Sequence, residues 1–133
     1  VPRLTALGLR VTVLARTPRS VDGADAVITR AELHQVLPEC HFVFLALSLT
    51  PDTRHFIGEP EVARMRPDAW LINVARGAHI DTEALVAALN RNAIRGAALD
   101  VVEPEPLPSD HPPAGRRPRR RRPARWRARG RGA

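Results

Sequence analysis

The sequence predicts an α/β fold, a doubly wound parallel sheet with helices on both faces. Four apolar runs of strand length are separated by segments with helical spacing of apolar residues. A sheet with one solvated face would alternate polar and apolar residues, so these continuous runs indicate strands covered on both sides. The strands are expected at Leu9–Ala15, His41–Leu47, Ala69–Val74 and Arg95–Val102.

Helix signals fall between these runs. Thr29 and Asp81 are side chains suited to cap a helix N-terminus, and Pro60 suits the first turn of a helix. The helices are expected at Thr29–Leu37, Gly58–Met65 and Thr82–Leu89. Open parallel sheets bind ligands at the carboxyl ends of their strands, so the residues that follow each strand are the candidates for function.

Charge is distributed unevenly along the 133 residues, whose formal net charge is +7. All 21 basic residues are Arg, and 10 of them lie in residues 112–133, which contain no acid. Residues 1–111 carry the other 11 Arg and all 14 acids, a net charge of −3. The predicted folded part is therefore mildly acidic, and nucleic-acid binding is expected, if anywhere, only in the tail.

Residues 112–133 consist of Arg, Pro, Ala, Gly and one Trp, a composition that cannot bury a core. We therefore expect a partial ligand-binding domain at 1–111 and a disordered Arg/Pro-rich tail at 112–133. The tail has two interpretations. It is a basic segment that binds nucleic acid or acidic partners, or it is the product of a GC-rich gene translated out of frame.

Other features restrict the class of protein. Cys40 is the single cysteine, which excludes a disulfide framework and fits a reducing cytoplasm. The sequence contains no run of about 18 apolar residues, so no transmembrane helix is predicted. No metal site is expected. The sequence begins with Val1, which suggests a fragment.

Arg76 follows the third predicted strand by two residues, beside Gly77. A guanidinium group at a strand's carboxyl end can bind a carboxylate through two parallel hydrogen bonds. Gly77 would let the backbone approach a ligand closely. The alternative is that Arg76 is a surface charge.

Two carboxylates follow the fourth predicted strand. Asp100 ends an otherwise apolar run, where it could accept a hydrogen bond from a ligand amide or cap a loop. Glu105 lies between Pro104 and Pro106, which stiffen its loop, so it could orient a catalytic base. Each could instead be a solvated loop acid, as could Glu103.

Three sequence blocks identify a family resemblance. "LTPDTRHFIG", "MRPDAWLINVARGAHIDTEALVAAL" and "IRGAALDVVEPEPLP" are similar in order, spacing and chemistry to the D-isomer-specific 2-hydroxyacid dehydrogenases, over Leu4–His111. The resemblance implies part of a Rossmann-like cofactor domain, which in this family is paired with a substrate-side domain. It also implies hydride transfer between NAD(P)H and C2 of a small 2-oxo acid, and a homodimer in the intact enzyme.

The resemblance implies roles for individual residues. Arg76 corresponds to the arginine that binds the substrate carboxylate, and Glu105 to the glutamate that orients the catalytic histidine. Val74, Ala75 and Asp100 correspond to contacts of the nicotinamide carboxamide, and Leu47 and Ser48 to backbone that lines the cofactor.

Residues after the first predicted strand bear on the choice of cofactor. Arg16 and Thr17 follow it directly, with Arg19 close behind, and no acid lies between Val11 and Val21. In dinucleotide-binding folds an acid here binds the ribose 2′-hydroxyl, whereas Arg accommodates a 2′-phosphate. The sequence therefore favours NADP(H) over NAD(H), unless the arginines are only exposed loop charges.

The sequence departs from the family pattern at two places. It contains no Gly-x-Gly-x-x-Gly turn for the pyrophosphate. It also has no histidine in the position of the family's catalytic acid; the five histidines are His34, His41, His55, His79 and His111. General acid catalysis contributes roughly 10²–10⁴ in rate, so we expect little turnover by this chain alone.

Overall fold

The structure, a computed structural model, describes residues 1–103 and the backbone of a strand at Arg125–Ala128. The chain divides into two compact units, Val1–Val36 and Leu37–Ala133. Every pair of neighbouring strands is parallel, as the sequence predicts.

The first unit contains two strands that pair in register, Thr12 with Ala26 and Leu14 with Ile28. The second of these strands was not predicted, because its three residues lie between Asp25 and Thr29 and show little periodicity. Thr29 is the N-cap residue, as predicted, but of a 3₁₀ turn: its backbone N–H donates to the Glu32 carboxylate at 2.8 Å, which is the reciprocal bond of a capping box. The elements are α1 (Pro2–Ala6), β1 (Thr12–Leu14), β2 (Ala26–Ile28), a 3₁₀ turn (Arg30–Glu32) and α2 (Leu33–Val36).

The second unit is built on a four-stranded sheet in the order β3-β4-β5-β6. Asp81 caps its longest helix, as predicted, by accepting a hydrogen bond from Ala84 N–H at 3.1 Å. The strands are β3 (Phe42–Leu45), β4 (Trp70–Asn73), β5 (Gly96–Leu99) and β6 (Arg125–Ala128). The helices are α3 (Glu59–Val62) and α4 (Thr82–Asn90), with 3₁₀ turns at Leu37–Glu39, Pro51–Thr53 and Gly77–His79.

The core of this unit lies around the two central strands. Leu71 of β4 and Ala97 of β5 are fully buried, as is Ala88 of α4. Strand β3 is less covered than its apolar sequence predicts, because Phe42 and Phe44 remain 53% and 58% exposed. The other two residues of the strand are more buried, so the described residues leave one face of β3 uncovered.

The tail differs from expectation at Arg125–Ala128, where the sequence predicts no strand. These residues pair in parallel with β5, from Gly96 opposite Arg125 to Leu99 opposite Ala128. Strand pairing uses backbone N–H and C=O groups, so an Arg-rich sequence can form it without apolar side chains. The rest of the tail, and the predicted boundary after residue 111, lie outside the described residues.

None of the helices described is long and apolar enough to cross a membrane. Within residues 1–103, no three His, Cys, Asp or Glu side chains gather as metal ligands would.

Candidate functional site

The carboxyl edge of the second unit, defined here as the residues directly after β3, β4 and β5, gathers most of the predicted site. The parallel register sets Leu45, Asn73 and Leu99 side by side at the ends of these strands. Asp100 N–H then donates to the Asn73 carbonyl at 2.9 Å, and Val74 N–H to the Leu45 carbonyl at 3.4 Å. Pairing thus continues one residue beyond the strands and fixes where the loops begin.

Asn73 organises the turn that follows β4. Its side chain is fully buried, and its Oδ1 accepts a hydrogen bond from Ala75 N–H at 3.0 Å. Its Nδ2 donates to the Arg76 carbonyl at 2.8 Å. Because a buried amide needs partners for its donor and its acceptor, this pair of bonds fixes the backbone from Ala75 to Arg76.

Arg76 itself is exposed at this edge. Its Nη1 donates at 2.8 Å to the carbonyl of the preceding residue, Ala75. No carboxylate within residues 1–103 forms an ion pair with it. A guanidinium has five N–H donors, so most of its hydrogen-bonding capacity remains for an anion.

The other residues assigned to the cofactor lie along the same edge. Val74 is 56% exposed although it directly follows a buried strand, and Asp100 is also exposed. Ala75 is buried, so it can offer a ligand little more than its backbone. The structure therefore brings Val74, Ala75, Arg76 and Asp100 to one place.

The loop from Leu47 to Thr53, called the 47–53 loop below, follows β3 and contains Leu47 and Ser48. The Thr53 hydroxyl bonds the Ser48 carbonyl at 2.9 Å, and Thr50 N–H donates to the same hydroxyl at 2.7 Å. The His79 ring reaches the loop at two further points, the carbonyls of Leu47 and Thr53. The loop is thus held both by its own side chains and by the turn beyond Arg76.

The segment after β5 is anchored at Val102 and Glu103. The Thr82 hydroxyl donates to the Glu103 carbonyl at 2.8 Å. Arg54 Nη2 forms an ion pair with the Glu103 carboxylate at 3.0 Å. Glu103 is thus paired rather than free, whereas Glu105 lies outside the described residues and its predicted orienting role stays a prediction.

Gly77 has a role that the sequence did not predict. A β carbon placed on it would lie 2.6 Å from Glu103 N and would also overlap the carbonyl group of Val102. Such contacts are shorter than van der Waals packing allows. The chain's own backbone therefore requires glycine here, and the predicted close approach to a ligand stays a prediction.

Arg16 and Thr17 lie in the first unit, at the carboxyl end of β1. Ala15 N–H still pairs with the Ile28 carbonyl at 2.9 Å, and both candidate residues beyond it are exposed. In the described part of the chain neither Arg16 nor Arg19 forms an ion pair. Both guanidinium groups are thus available to an anion, as the predicted 2′-phosphate contact requires.

Sequence reasoning missed the roles of two buried polar residues, Asn73 and His79. Asn73 is a polar residue at the end of an apolar strand, and that pattern alone could have indicated a structural amide. His79 lies between Ala78 and Ile80, both buried, and a histidine in such a run indicates a buried hydrogen-bonded ring. Its partners, however, are backbone carbonyls whose positions depend on tertiary structure.

Comparison with known proteins identifies the family. Residues 1–118 match the family model described as "D-isomer specific 2-hydroxyacid dehydrogenase, NAD binding domain". The chain belongs to the D-isomer-specific 2-hydroxyacid dehydrogenase family. The matched region is the family's NAD-binding domain, which confirms the resemblance inferred from the three sequence blocks.

Curated relatives of this dehydrogenase domain include reductases of small 2-oxo acids. A glyoxylate reductase of Thermococcus gammatolerans is 42% identical over 104 residues, which are 78% of this chain and 31% of that protein. Glyoxylate/hydroxypyruvate reductase B of Pectobacterium carotovorum is 47% identical over 81 residues, 61% of this chain and 25% of that protein. The chain thus spans less than a third of the length of these relatives.

Solved structures of the family share the fold. A D-isomer-specific 2-hydroxyacid dehydrogenase from Xanthobacter autotrophicus matches with a TM-score of 0.81 and 33% identity, over 93% of this chain and 40% of that one. An NADPH-dependent glyoxylate/hydroxypyruvate reductase from Sinorhizobium meliloti, solved with NADP and sulfate, matches with a TM-score of 0.73 and 29% identity, over 81% and 35%. The predicted α/β, Rossmann-like class is confirmed.

Proposed function

We propose that this chain is the cofactor-binding part of an oxidoreductase that reduces a small 2-oxo acid to the 2-hydroxy acid with NAD(P)H. The observation that carries the proposal is the exposed Arg76 guanidinium at the carboxyl edge, near the exposed Asp100. The edge thus offers a cation for a substrate carboxylate and an acceptor for an amide. The family relationship supplies the reaction class.

In this proposal the side chains act by binding and orientation. Arg76 holds the substrate carboxylate as a two-pronged donor, which directs C2 toward the cofactor. Asp100 accepts a hydrogen bond from the carboxamide NH₂ group, and the exposed Val74 packs on the nicotinamide ring. The nicotinamide cofactor, when bound, supplies the hydride. Glu105 would orient the histidine that donates the proton to the 2-oxo oxygen in the family pattern, and this sequence has no histidine in that position.

The residues of the carboxyl edge fit such a cofactor. Val74 is an apolar side chain left more than half exposed, as expected of a surface that packs on a flat ring. Leu47 and Ser48 begin the loop that follows β3, where backbone can line the cofactor. Arg16 and Thr17, with Arg19, favour NADP(H), since Arg accommodates a 2′-phosphate and the sequence between Val11 and Val21 has no acid to bind a free 2′-hydroxyl.

The substrate class follows from the relatives, whose names specify glyoxylate and hydroxypyruvate. Both are small 2-oxo acids with one carboxylate that Arg76 could bind.

We place the reaction in the cytoplasm, in agreement with the single cysteine, and we propose a homodimer for the intact enzyme. Binding of nucleic acid by the Arg-rich tail remains the alternative, and it would weaken steeply as salt rises.

The test is a fluorescence titration of the chain with NADPH and NADH, followed by glyoxylate in the presence of saturating NADPH. We expect saturable binding of NADPH, weakened by Asp100→Ala. Arg76→Ala should abolish the fluorescence change that glyoxylate causes and leave the affinity for NADPH nearly unchanged. Arg64→Ala, at an exposed arginine after α3, is the matched control. Absence of saturable binding of either nucleotide would contradict the proposal.

A further inference from the structure

His79 is fully buried, and both of its ring nitrogens face backbone carbonyl oxygens. Nδ1 lies 2.8 Å from the Thr53 carbonyl, and Nε2 lies 3.1 Å from the Leu47 carbonyl. The two acceptors are the two ends of the 47–53 loop. One imidazole ring therefore lies within hydrogen-bonding distance of both ends of the loop.

The backbone of His79 is fixed from the other side. Its N–H donates to the Arg76 carbonyl at 3.2 Å, and its carbonyl accepts from Ile57 N–H at 3.0 Å. The Arg76 carbonyl is also bonded by the Asn73 amide. The ring and backbone of one residue thus connect the Arg76 turn to the loop that follows β3.

Packing alone does not account for a histidine at this position. An apolar side chain of similar size would fill the same space, but it would leave the Leu47 and Thr53 carbonyls without these bonds. A carbonyl removed from water without a partner costs about 1–3 kcal/mol. Both carbonyl oxygens can only accept, so each hydrogen bond to the loop needs an N–H on the ring nitrogen that faces it.

We propose that His79 is a positioning residue that sets the 47–53 loop relative to the Arg76 turn, and with it the distance between the cofactor and the substrate carboxylate. The inference rests on the proposed function, since only there does the Leu47–Ser48 backbone line the cofactor while Arg76 binds substrate. His79 touches neither ligand and acts through the Leu47 and Thr53 carbonyls.

The first arm of the experiment needs no ligand. Amide hydrogen exchange is measured for Thr53 and Arg54, whose N–H groups bond the Thr50 carbonyl at 3.0 and 3.1 Å, and for Ala97 in β5. His79→Leu should speed exchange at the loop amides about tenfold and leave Ala97 nearly unchanged. His79→Gln, whose amide keeps a donor, should fall between His79→Leu and the unaltered chain.

A second arm measures NADPH affinity in the same proteins. We expect His79→Leu to weaken NADPH binding about tenfold, with partial recovery in His79→Gln and no change in His41→Gln, a variant of an exposed histidine. A ring N–H of His79 that exchanges slowly with solvent, seen by NMR, would also support the proposal. Rapid exchange of every ring N–H would overturn it.

The two proposals fail in different ways. If the unaltered chain binds neither nucleotide, the proposed function fails, while the exchange data still decide whether His79 holds the loop. If the unaltered chain binds NADPH and His79→Leu binds it equally well, the positioning role is overturned. Equal acceleration at Thr53, Arg54 and Ala97 would also overturn it, since that result describes a general loss of stability.

Discussion

Gly77 lies against Val102 so closely that no β carbon fits between them. The contact joins the turn that presents Arg76 to the segment that leaves β5 and leads toward Glu105. Two strand ends of the candidate site are thus in contact through bare backbone. Any side chain on Gly77 must push the segment after β5 away from the turn.

Replacing Gly77 with alanine should therefore destabilise the protein by about 3 kcal/mol, at the upper end for overpacking, because backbone cannot rotate out of the way. Urea unfolding measures the change. Gly58→Ala is the matched control, since the nearest atom to a β carbon there is at 3.6 Å. That substitution replaces the N-cap residue of α3 and should lower the free energy of unfolding by no more than about 1 kcal/mol. Similar costs at both glycines would contradict the role assigned to Gly77.

Asn73→Leu should destabilise the protein by about 2–4 kcal/mol, because it leaves the Ala75 N–H and the Arg76 carbonyl without their buried partner. Thermal and urea unfolding measure the loss. Asn73→Asp keeps an acceptor for Ala75 N–H but loses the donor to Arg76, so it separates the two bonds. If Asn73→Leu were neutral, the amide would not be what fixes the Arg76 turn.

The ion pair between Arg54 and Glu103 should contribute little by itself. Both side chains are about half exposed, at 52% and 41%, and exposed pairs contribute roughly 0.2–1 kcal/mol. A double-mutant cycle with Arg54→Ala and Glu103→Ala, at low and high salt, measures the coupling. We expect a small value that falls with salt. A coupling above about 2 kcal/mol would show that the pair is shielded from solvent.

Acid should loosen the turn at Thr29 in the first unit. The backbone N–H and the hydroxyl of Thr29 hold the pKa of Glu32 below its ordinary value of 4.5. A carboxylate with a lowered pKa stabilises the fold above that ordinary value, and the contribution is lost as the pH falls through the folded pKa. The loss of stability is therefore confined to acid conditions below about pH 4.5, and the contribution is fully present above that pH.

An NMR titration of the Glu32 carboxyl measures this pKa directly. Thr29→Ala removes the hydroxyl but keeps the backbone N–H, which is the larger cause of the shift. The pKa of Glu32 should therefore rise only part of the way toward 4.5. Complete restoration of the ordinary pKa would show that the hydroxyl, not the backbone, is the main donor.

The sequence predicted the fold well where the signal was local and strong. The apolar runs at β3, β4 and β5 were found because buried parallel strands are continuous in hydrophobicity. Thr29 and Asp81 were found because a cap depends on residues within one turn. Strand β2 was missed because three residues between an Asp and a Thr carry little periodicity, and β6 because its pairing depends on backbone alone.

Within the candidate site, sequence reasoning identified which residues lie at the strand ends but not what holds them. Arg76, Val74 and Asp100 do lie together, because parallel register follows from the order of strands and helices. The contact of Gly77 with Val102 was not predicted, since the two residues are distant in sequence. The carbonyl partners of His79 could not be predicted, because any residue type supplies a carbonyl.

The contacts that hold the candidate site together are separated widely along the chain. His79 reaches back 26 residues to Thr53 and 32 residues to Leu47, and Arg54 reaches forward 49 residues to Glu103. Contacts that close long loops form late, because the entropy cost of closing the loop is incurred before the contact stabilises the fold. During synthesis the strands up to β4 can therefore pair before the Arg76 turn has its partners. The turn that presents Arg76 gains its contact with Val102 and Glu103 only after the segment that follows β5 has been synthesised.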